Sequence, residues 1–494
     1  MNREGEFPVA TVKSGKLRGA LRDGVCMFKG VPFGERVDPR RRASEIKPPT
    51  PWIGELDATG PGAVFPQFRS RLAAVMGDSI SANPQSEDAF MLNVWAPADA
   101  SGLPVLVFIH GGGFVTGGGS AGWYDGERLA RDGNLVVVTV NYRLGAFGHY
   151  VDGTDASQAN RPVRDLLRAL EWVQENIAAF GGDPGEVTVG GQSGGAWYAW
   201  LLGVSPASRG LLRRNYLLSL PIVPPMQAEE ALTASRELCG FAGGKPFDAL
   251  STEEVLTAQM ALMRARMAFG EVAVGCRPAF ESGLVPEWLF DFRRAAQAAH
   301  VGETLLGSTA EESTGFMFVD PLLVNADDST ARAWYGRHFA DDAPRVYAEF
   351  ARRRPQHTPY TQLVDASSYM LFEVGVEQIS QAYGENGLAA YPFRFDVESH
   401  VPNLMSPHCL ELPFLFGNRQ DWSDAPMLAN VSEAVFERTG RDLRAAVCGF
   451  ARCGIPGNAA GGQWRRHLLS DPRIMAFTDD GAVERPWTTG LLQT

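Results

Sequence analysis

Apolar residues along this chain fall into two rhythms. Short, nearly unbroken runs of β-branched, leucine and aromatic residues mark buried strands at 105–109, 135–140, 186–189, 304–307 and 390–395. Residues 164–180 instead carry Leu167, Leu170, Val173 and Ile177 on one face of a helix, which Gly181-Gly182-Asp183-Pro184 brings to an end. From 93 to about 220 the order strand, loop, strand, helix, strand, helix predicts a mostly parallel sheet with covering helices. Residues 9–33 alternate turns with short apolar runs, as an antiparallel edge sheet does, and the Pro- and Gly-rich residues 47–85 read as a long surface loop. Helical insertions are expected at about 226–297 and 330–385, and a helical region after 395 completes the chain. No internal repeat or low-complexity linker divides it, so residues 1–494 are expected to form one elaborated α/β domain.

Composition narrows the partners. The chain is 45% hydrophobic and 21% charged with a net charge of −12, a balance that disfavours nucleic acid, whose phosphates need clustered Lys and Arg. Arg40-Arg41-Arg42 and Arg352-Arg353-Arg354 are short, isolated runs and read as solvated surface. No apolar run approaches a membrane span, and Met1-Asn2-Arg3-Glu4-Gly5-Glu6 lacks the apolar core of a signal peptide. Cys26, Cys239, Cys276, Cys409, Cys448 and Cys453 form no CxxC pair or zinc-ligand spacing, so free thiols in a reducing cytoplasm are expected. A monomer and a homodimer fit this composition equally.

Gly191-Gln192-Ser193-Gly194-Gly195 sits where the strand at 186–189 meets a glycine-free helix at 196–202. A sharp strand-to-helix turn holds a serine hydroxyl above the sheet, and glycines on either side keep Cβ atoms out of the neighbouring strand and helix. Gly118-Gly119-Ser120-Ala121-Gly122 matches the same pattern but lies at the end of a glycine run, so Ser120 reads as a loop residue. His110-Gly111-Gly112-Gly113-Phe114 follows the strand at 105–109 and leaves backbone N–H groups able to converge on a carbonyl oxygen. No GK[ST] follows it, which argues against a phosphate cradle.

With Phe28-Lys29-Gly30-Val31-Pro32-Phe33, Ser86-Glu87-Asp88-Ala89-Phe90-Met91-Leu92-Asn93-Val94, Asn141-Tyr142-Arg143-Leu144-Gly145 and His408-Cys409-Leu410-Glu411-Leu412-Pro413-Phe414, these blocks resemble the type-B carboxylesterases, the family of bacterial p-nitrobenzyl esterases, mammalian carboxylesterases and cholinesterases. The resemblance covers nearly the whole chain. It implies an α/β-hydrolase fold: a central, mostly parallel mixed sheet flanked by helices, a small N-terminal antiparallel sheet, and helical insertions over the active site. It also implies a triad in the order Ser, acid, His.

On that resemblance Ser193 is the nucleophile, and Glu312 in Gly307-Ser308-Thr309-Ala310-Glu311-Glu312-Ser313 is the acid. Glu311 is its rival and otherwise reads as a solvated surface carboxylate. His408 is the base; His338, His357 and His467 lie elsewhere, His400 reads as a loop residue, and His110 as a partner that fixes the glycine loop. The N–H groups of Gly112, Gly113 and Gly194 hold the oxyanion, and neither a metal nor an organic cofactor is required. The implied activity is a serine carboxylesterase acting on small, largely apolar esters. Amide, carbamate, lactone or thioester cleavage, or acyl transfer, would use the same site, whereas a non-catalytic adhesion protein of this fold would lack a complete triad.

The pocket is expected to involve Phe114, Gln192, Trp197, Tyr198 and Phe316. Gln192 stands where many members have Glu, and residues 67–85 contain no tryptophan, which together disfavour a quaternary-ammonium substrate. Phe65 and Ala89 replace two family cysteines, and Ser313 replaces a glycine. Pro162, Leu166 and Ser219-Leu220-Pro221 also depart from the family pattern. Trp197 and Tyr198 either narrow the acyl pocket or face the core as ordinary helix residues.

Overall fold

Strands buried on both faces need helices above and below, and their period-two alternation decides which side each residue feeds. The computed structural model describes residues 7–267, 276–457, 464–488 and 490. Its strands are, in chain order, β1 (Val9–Val12), β2 (Gly15–Arg18), β3 (Ala20–Arg22), β4 (Val25–Pro32), β5 (Glu55–Asp57), β6 (Met91–Pro97), β7 (Leu103–Ile109), β8 (Val136–Val140), β9 (Gly182–Gln192), β10 (Arg214–Leu218), β11 (Glu303–Thr309), β12 (Ala389–Phe395), β13 (Arg473–Thr478) and β14 (Gly481–Pro486). The large sheet has the order β14-β13-β12-β11-β10-β9-β7-β8-β6-β4-β3. It is parallel from β8 to β13 and antiparallel at both margins, as an α/β-hydrolase sheet requires.

The alternation is legible on β7. Val105, Val107 and Ile109 enter one core with the helices Arg161–Asn176 and Gly194–Val204, whereas Leu106 and Phe108 enter a second core with Glu127–Gly133 and Glu433–Cys453. Each such side chain contributes about 1.5–3 kcal/mol by leaving water. The helices within 321–368 gather a smaller core of their own around Trp334, Tyr347 and Leu363, and the helices Ala228–Phe241 and Thr252–Ala265 another around Leu238 and Val255.

Several sequence readings need correction. The small sheet is mixed rather than antiparallel: β2 pairs antiparallel with β1 but parallel with β5, and β3 and β4 join the large sheet. Residues 47–85 are no surface loop, because Val64, Phe65, Val75 and Met76 are buried and the segment carries the helix Ala73–Met76. The region after 395 carries the expected helices, Glu411–Phe416 and Glu433–Cys453, but is not helical throughout: β13 and β14 form a hairpin that extends the sheet. Arg42 is buried, forking onto Glu87 at 2.9 Å through both Nε and Nη2, so that basic run is not wholly solvated. The readings on residues 1–6, and on 268–275 within the first insertion, lie outside the described residues. Among the described residues no helix is long and apolar enough to cross a membrane.

Candidate active site

The elbow begins where β9 ends. Ser193 takes φ +55° and ψ −125°, a conformation costly for a residue with a side chain, and Gly194–Val204 starts a helix immediately after it. The Ser193 N–H donates to Leu218 O at 2.9 Å, which ties the turn to β10. The flanking glycines are obligatory: a Cβ on Gly191 would stand 2.4 Å from the Gly195 carbonyl carbon, and one on Gly195 would stand 2.0 Å from Ile109 O. This is the physical content of the GxSxG pattern.

At the end of β7 the glycine loop folds back on itself. The N–H groups of Val115 and Thr116 and the Thr116 hydroxyl all donate to Gly112 O at 3.0–3.1 Å. Among the described residues no acceptor takes the N–H of Gly113 or Phe114. Those two nitrogens lie 3.7 and 3.4 Å from the point where a Cβ on Gly194 would stand, so the loop faces the helix start beside Ser193. His110 lies under the loop, stacked on Tyr142 at 4.4 Å with Nδ1 2.8 Å from Gly111 O. Burial pushes its imidazole down to about 4, so it stays neutral.

Glu312 and His408 come from loops after β11 and β12, which are adjacent strands. Glu312 Oε1 accepts the Thr309 N–H at 2.8 Å, leaving Oε2 in contact with Nδ1 of His408. Both side chains are fully buried. The imidazole packs between the rings of Phe316 and Phe372, at centroid distances of 5.2 and 4.9 Å. On its other edge Nε2 lies 3.1 Å from Nε2 of Gln192, where an amide N–H donates into the ring lone pair. That arrangement places the ring proton on Nδ1, toward Glu312.

Ser193 opens into a pocket of about 280 Å³. Its walls include Phe114, Phe316, Leu371, Phe372, Met260 and Met263, with Arg69 and Arg71 on the segment from Phe68 to Leu72. A wider surface hollow of about 1050 Å³ around Arg128, Asp421 and Glu437 has no histidine among its described lining residues.

Of the five residues expected at the pocket, only Phe114 and Phe316 line it. Trp197 and Tyr198 are fully buried behind Phe114, with ring centroids 5.6 and 5.5 Å from it, and Trp197 Nε1–H donates to Val223 O at 2.8 Å. They support the wall instead of forming it. Gln192 is likewise buried and faces His408. Glu311 is not a solvated carboxylate: it is buried, accepts Arg354 Nη2–H at 2.8 Å, and accepts the Ser406 N–H at 3.2 Å. Arg354 therefore leaves the solvated run too. Ser313 uses the hydroxyl it brings, donating to Ser367 Oγ at 2.9 Å.

Sequence reasoning gave Glu411 no role. It is fully buried with neither carboxyl oxygen hydrogen-bonded, and burial, reinforced by the charge of Glu312, holds its carboxyl well above the usual range. Phe372, Leu371, Met260 and Met263 were missed because they stand on the insertions, far in sequence from the motifs.

Comparison with known proteins agrees with this architecture. Residues 6–490 match the model of the carboxylesterase family. The phenmedipham hydrolase of Pseudarthrobacter oxydans is 31% identical over 487 residues, covering 96% of each chain. The para-nitrobenzyl esterase of Bacillus subtilis (strain 168) is 31% identical over 500 residues, covering 97% of each. A crystal structure of a Geobacillus stearothermophilus carboxylesterase superposes with a TM-score of 0.83 at 31% identity, covering 97% of each chain.

Proposed function

Because this chain belongs to the carboxylesterase family and is a serine carboxylic-ester hydrolase, we propose that it works through an acyl-enzyme on Ser193 with Glu312 and His408 completing the triad. The observation that carries this reading is the buried contact of His408 Nδ1 with Glu312, with Nε2 turned to Gln192, the residue preceding a serine that is held at φ +55° and lines an apolar pocket. Ser193 Oγ attacks the ester carbonyl while His408 Nε2 takes its proton and returns it to the leaving alcohol. The N–H groups of Gly112, Gly113 and Gly194 receive the oxyanion. Water then repeats the cycle on the acyl-enzyme. The substrate is a small ester with an apolar body, in keeping with the aromatic and methionine walls. All six cysteines stand as free thiols, which supports a reducing, cytoplasmic setting.

A fluorophosphonate probe followed by peptide mapping tests the assignment. The label is expected on Ser193 and is to be competed off by p-nitrophenyl esters; a label on Ser120, or none, would overturn it.

Gln192 makes this triad electrically distinct. In Gln192→Glu a carboxylate would stand beside Nε2 and stabilise the imidazolium, raising the pKa of the base. A base acts only when neutral, so activity would be lost at higher pH than in the wild type as pH falls. The acid limb of kcat/KM is expected to move up by about one pH unit or more, read from profiles between pH 5 and 9. An unmoved limb would remove Gln192 from the base's surroundings.

A further inference from the structure

The helix Thr252–Ala265 turns one face inward, where Val255, Ala258 and Leu262 join a small apolar core. Helical spacing puts Gln259 on that face, and it is only 3% exposed, where an apolar residue is the default. Its seat is specific. Oε1 accepts the Ala146 N–H at 2.7 Å, and it fits because position 145 has no side chain: a Cβ on Gly145 would stand 1.9 Å from Oε1. The Gly145 N–H in turn donates to Phe114 O at 2.7 Å, which ties the amide to the glycine loop beside Ser193. Because an oxygen must face the Ala146 N–H, the orientation of the amide is decided, and its NH2 is the end left for other partners. Among the described residues no acceptor takes either N–H of that NH2. Gln259 lines the pocket together with Ser193, Val115, Met260 and Met263.

An amide donor held among apolar side chains is unfavourable without an acceptor. Since Oε1 is engaged, what this group asks of a ligand is an oxygen lone pair. The NH2 is neutral, and Val115, Met260 and Met263 carry no charge, so a neutral carbonyl oxygen suits it better than an ion that must give up its water. We propose that Gln259 is a specificity-determining residue whose carboxamide NH2 donates to a carbonyl oxygen that the substrate carries besides the scissile one, so that esters bearing a ketone are preferred over their plain alkyl counterparts. The inference rests on Ser193 as the nucleophile and deepens that reading. Met263 stands one helical turn beyond Gln259, so the substrate's methylenes lie along the methionines while its second carbonyl meets the amide. A donor already fixed by Ala146 loses little freedom on binding, and its removal leaves the substrate carbonyl unpaired, so the effect appears in kcat/KM.

The test is a panel of p-nitrophenyl esters of keto acids, with the ketone at successive positions along the chain, each paired with the straight-chain ester of equal length. A second arm carries the ketone on the alcohol side, as acetates of hydroxyketones paired with acetates of the matching alkanols. The quantity read is the keto-to-alkyl ratio of kcat/KM within each preparation, after subtraction of the uncatalysed rate; differences in active enzyme cancel in it. In the wild type the ratio is expected to peak at one ketone position in one arm, at about three to ten. Gln259→Met removes the donor and is expected to lower that peak about tenfold or more. As a carboxylate, Gln259→Glu keeps an oxygen for the Ala146 N–H but offers the substrate a second acceptor in place of the NH2, and is expected to lower the peak at least as far. No peak in either arm, or a peak that the folded variants leave unchanged, would overturn the proposal while fluorophosphonate labelling of Ser193 still stood. No hydrolysis of either series, with no label on Ser193, would overturn both readings together.

Discussion

Replacing Ser193 with alanine is expected to lower kcat toward p-nitrophenyl esters by about four to six orders of magnitude, because triad members act as a unit and losing one forfeits covalent catalysis. The residual rate would come from oxyanion binding and substrate positioning alone. Alanine keeps the Cβ that already occupies the strained turn, and the Ser193 backbone N–H to Leu218 O bond does not involve the hydroxyl. The variant is therefore expected to fold, which circular dichroism and a thermal melt would check. Steady-state or single-turnover assays give the loss directly. A fall of less than a hundredfold would move the nucleophile elsewhere. Ser120 is a poor substitute, since it lines no part of the pocket.

Glu312→Gln is expected to cost about three to four orders of magnitude in kcat, with the fold again retained. The reason lies in the geometry around the carboxylate. Oε1 accepts the Thr309 N–H at 2.8 Å, so an amide at this position keeps its oxygen on Thr309 and turns its NH2 toward His408. Nδ1 must then accept, which drives the ring proton to Nε2, the atom that has to receive a proton from serine. There it would also face the amide N–H of Gln192, 3.1 Å away. Full burial leaves no water to rescue the correct tautomer. A tenfold loss or less would mean that Glu312 does not set the tautomer of the base.

Much of the centre could be read from the chain because its constraints are local. The elbow needs glycines beside Ser193 for reasons confined to a few residues, and β-branched residues before it and helix formers after it declare the turn. Glu312 and His408 sit in short motifs just past strands that are themselves plain in the apolar pattern. The pocket was far less legible. The helix after Ser193 is buried all round, so it has no polar face to say which way Trp197 and Tyr198 point. Arg71, Met260 and Phe372 line one pocket only in the folded chain, where the first two stand 189 positions apart and the last two 112. Glu311 looked solvated because the cation that neutralises it lies 43 positions away. Residues 47–85 looked like loop because their elements are short, and the burial of Val64, Val75 and Met76 depends on a core shared with distant residues such as Met427 and Leu428.

The strand order gives the molecule a division of labour. The glycine loop, Ser193, Glu312 and His408 leave the same edge of adjoining strands β7, β9, β11 and β12, with β10 between the second and third. Part of the wall comes from an insertion between those strands, where Met260 and Met263 stand on the helix Thr252–Ala265, which has a small core of its own. The reacting atoms and the surfaces that choose the substrate thus rest on separate foundations. Wall residues such as Met260 and Met263 can therefore be exchanged with little demand on the sheet. Selection can redirect such a catalyst by exchanging its surroundings while its engine stays in place.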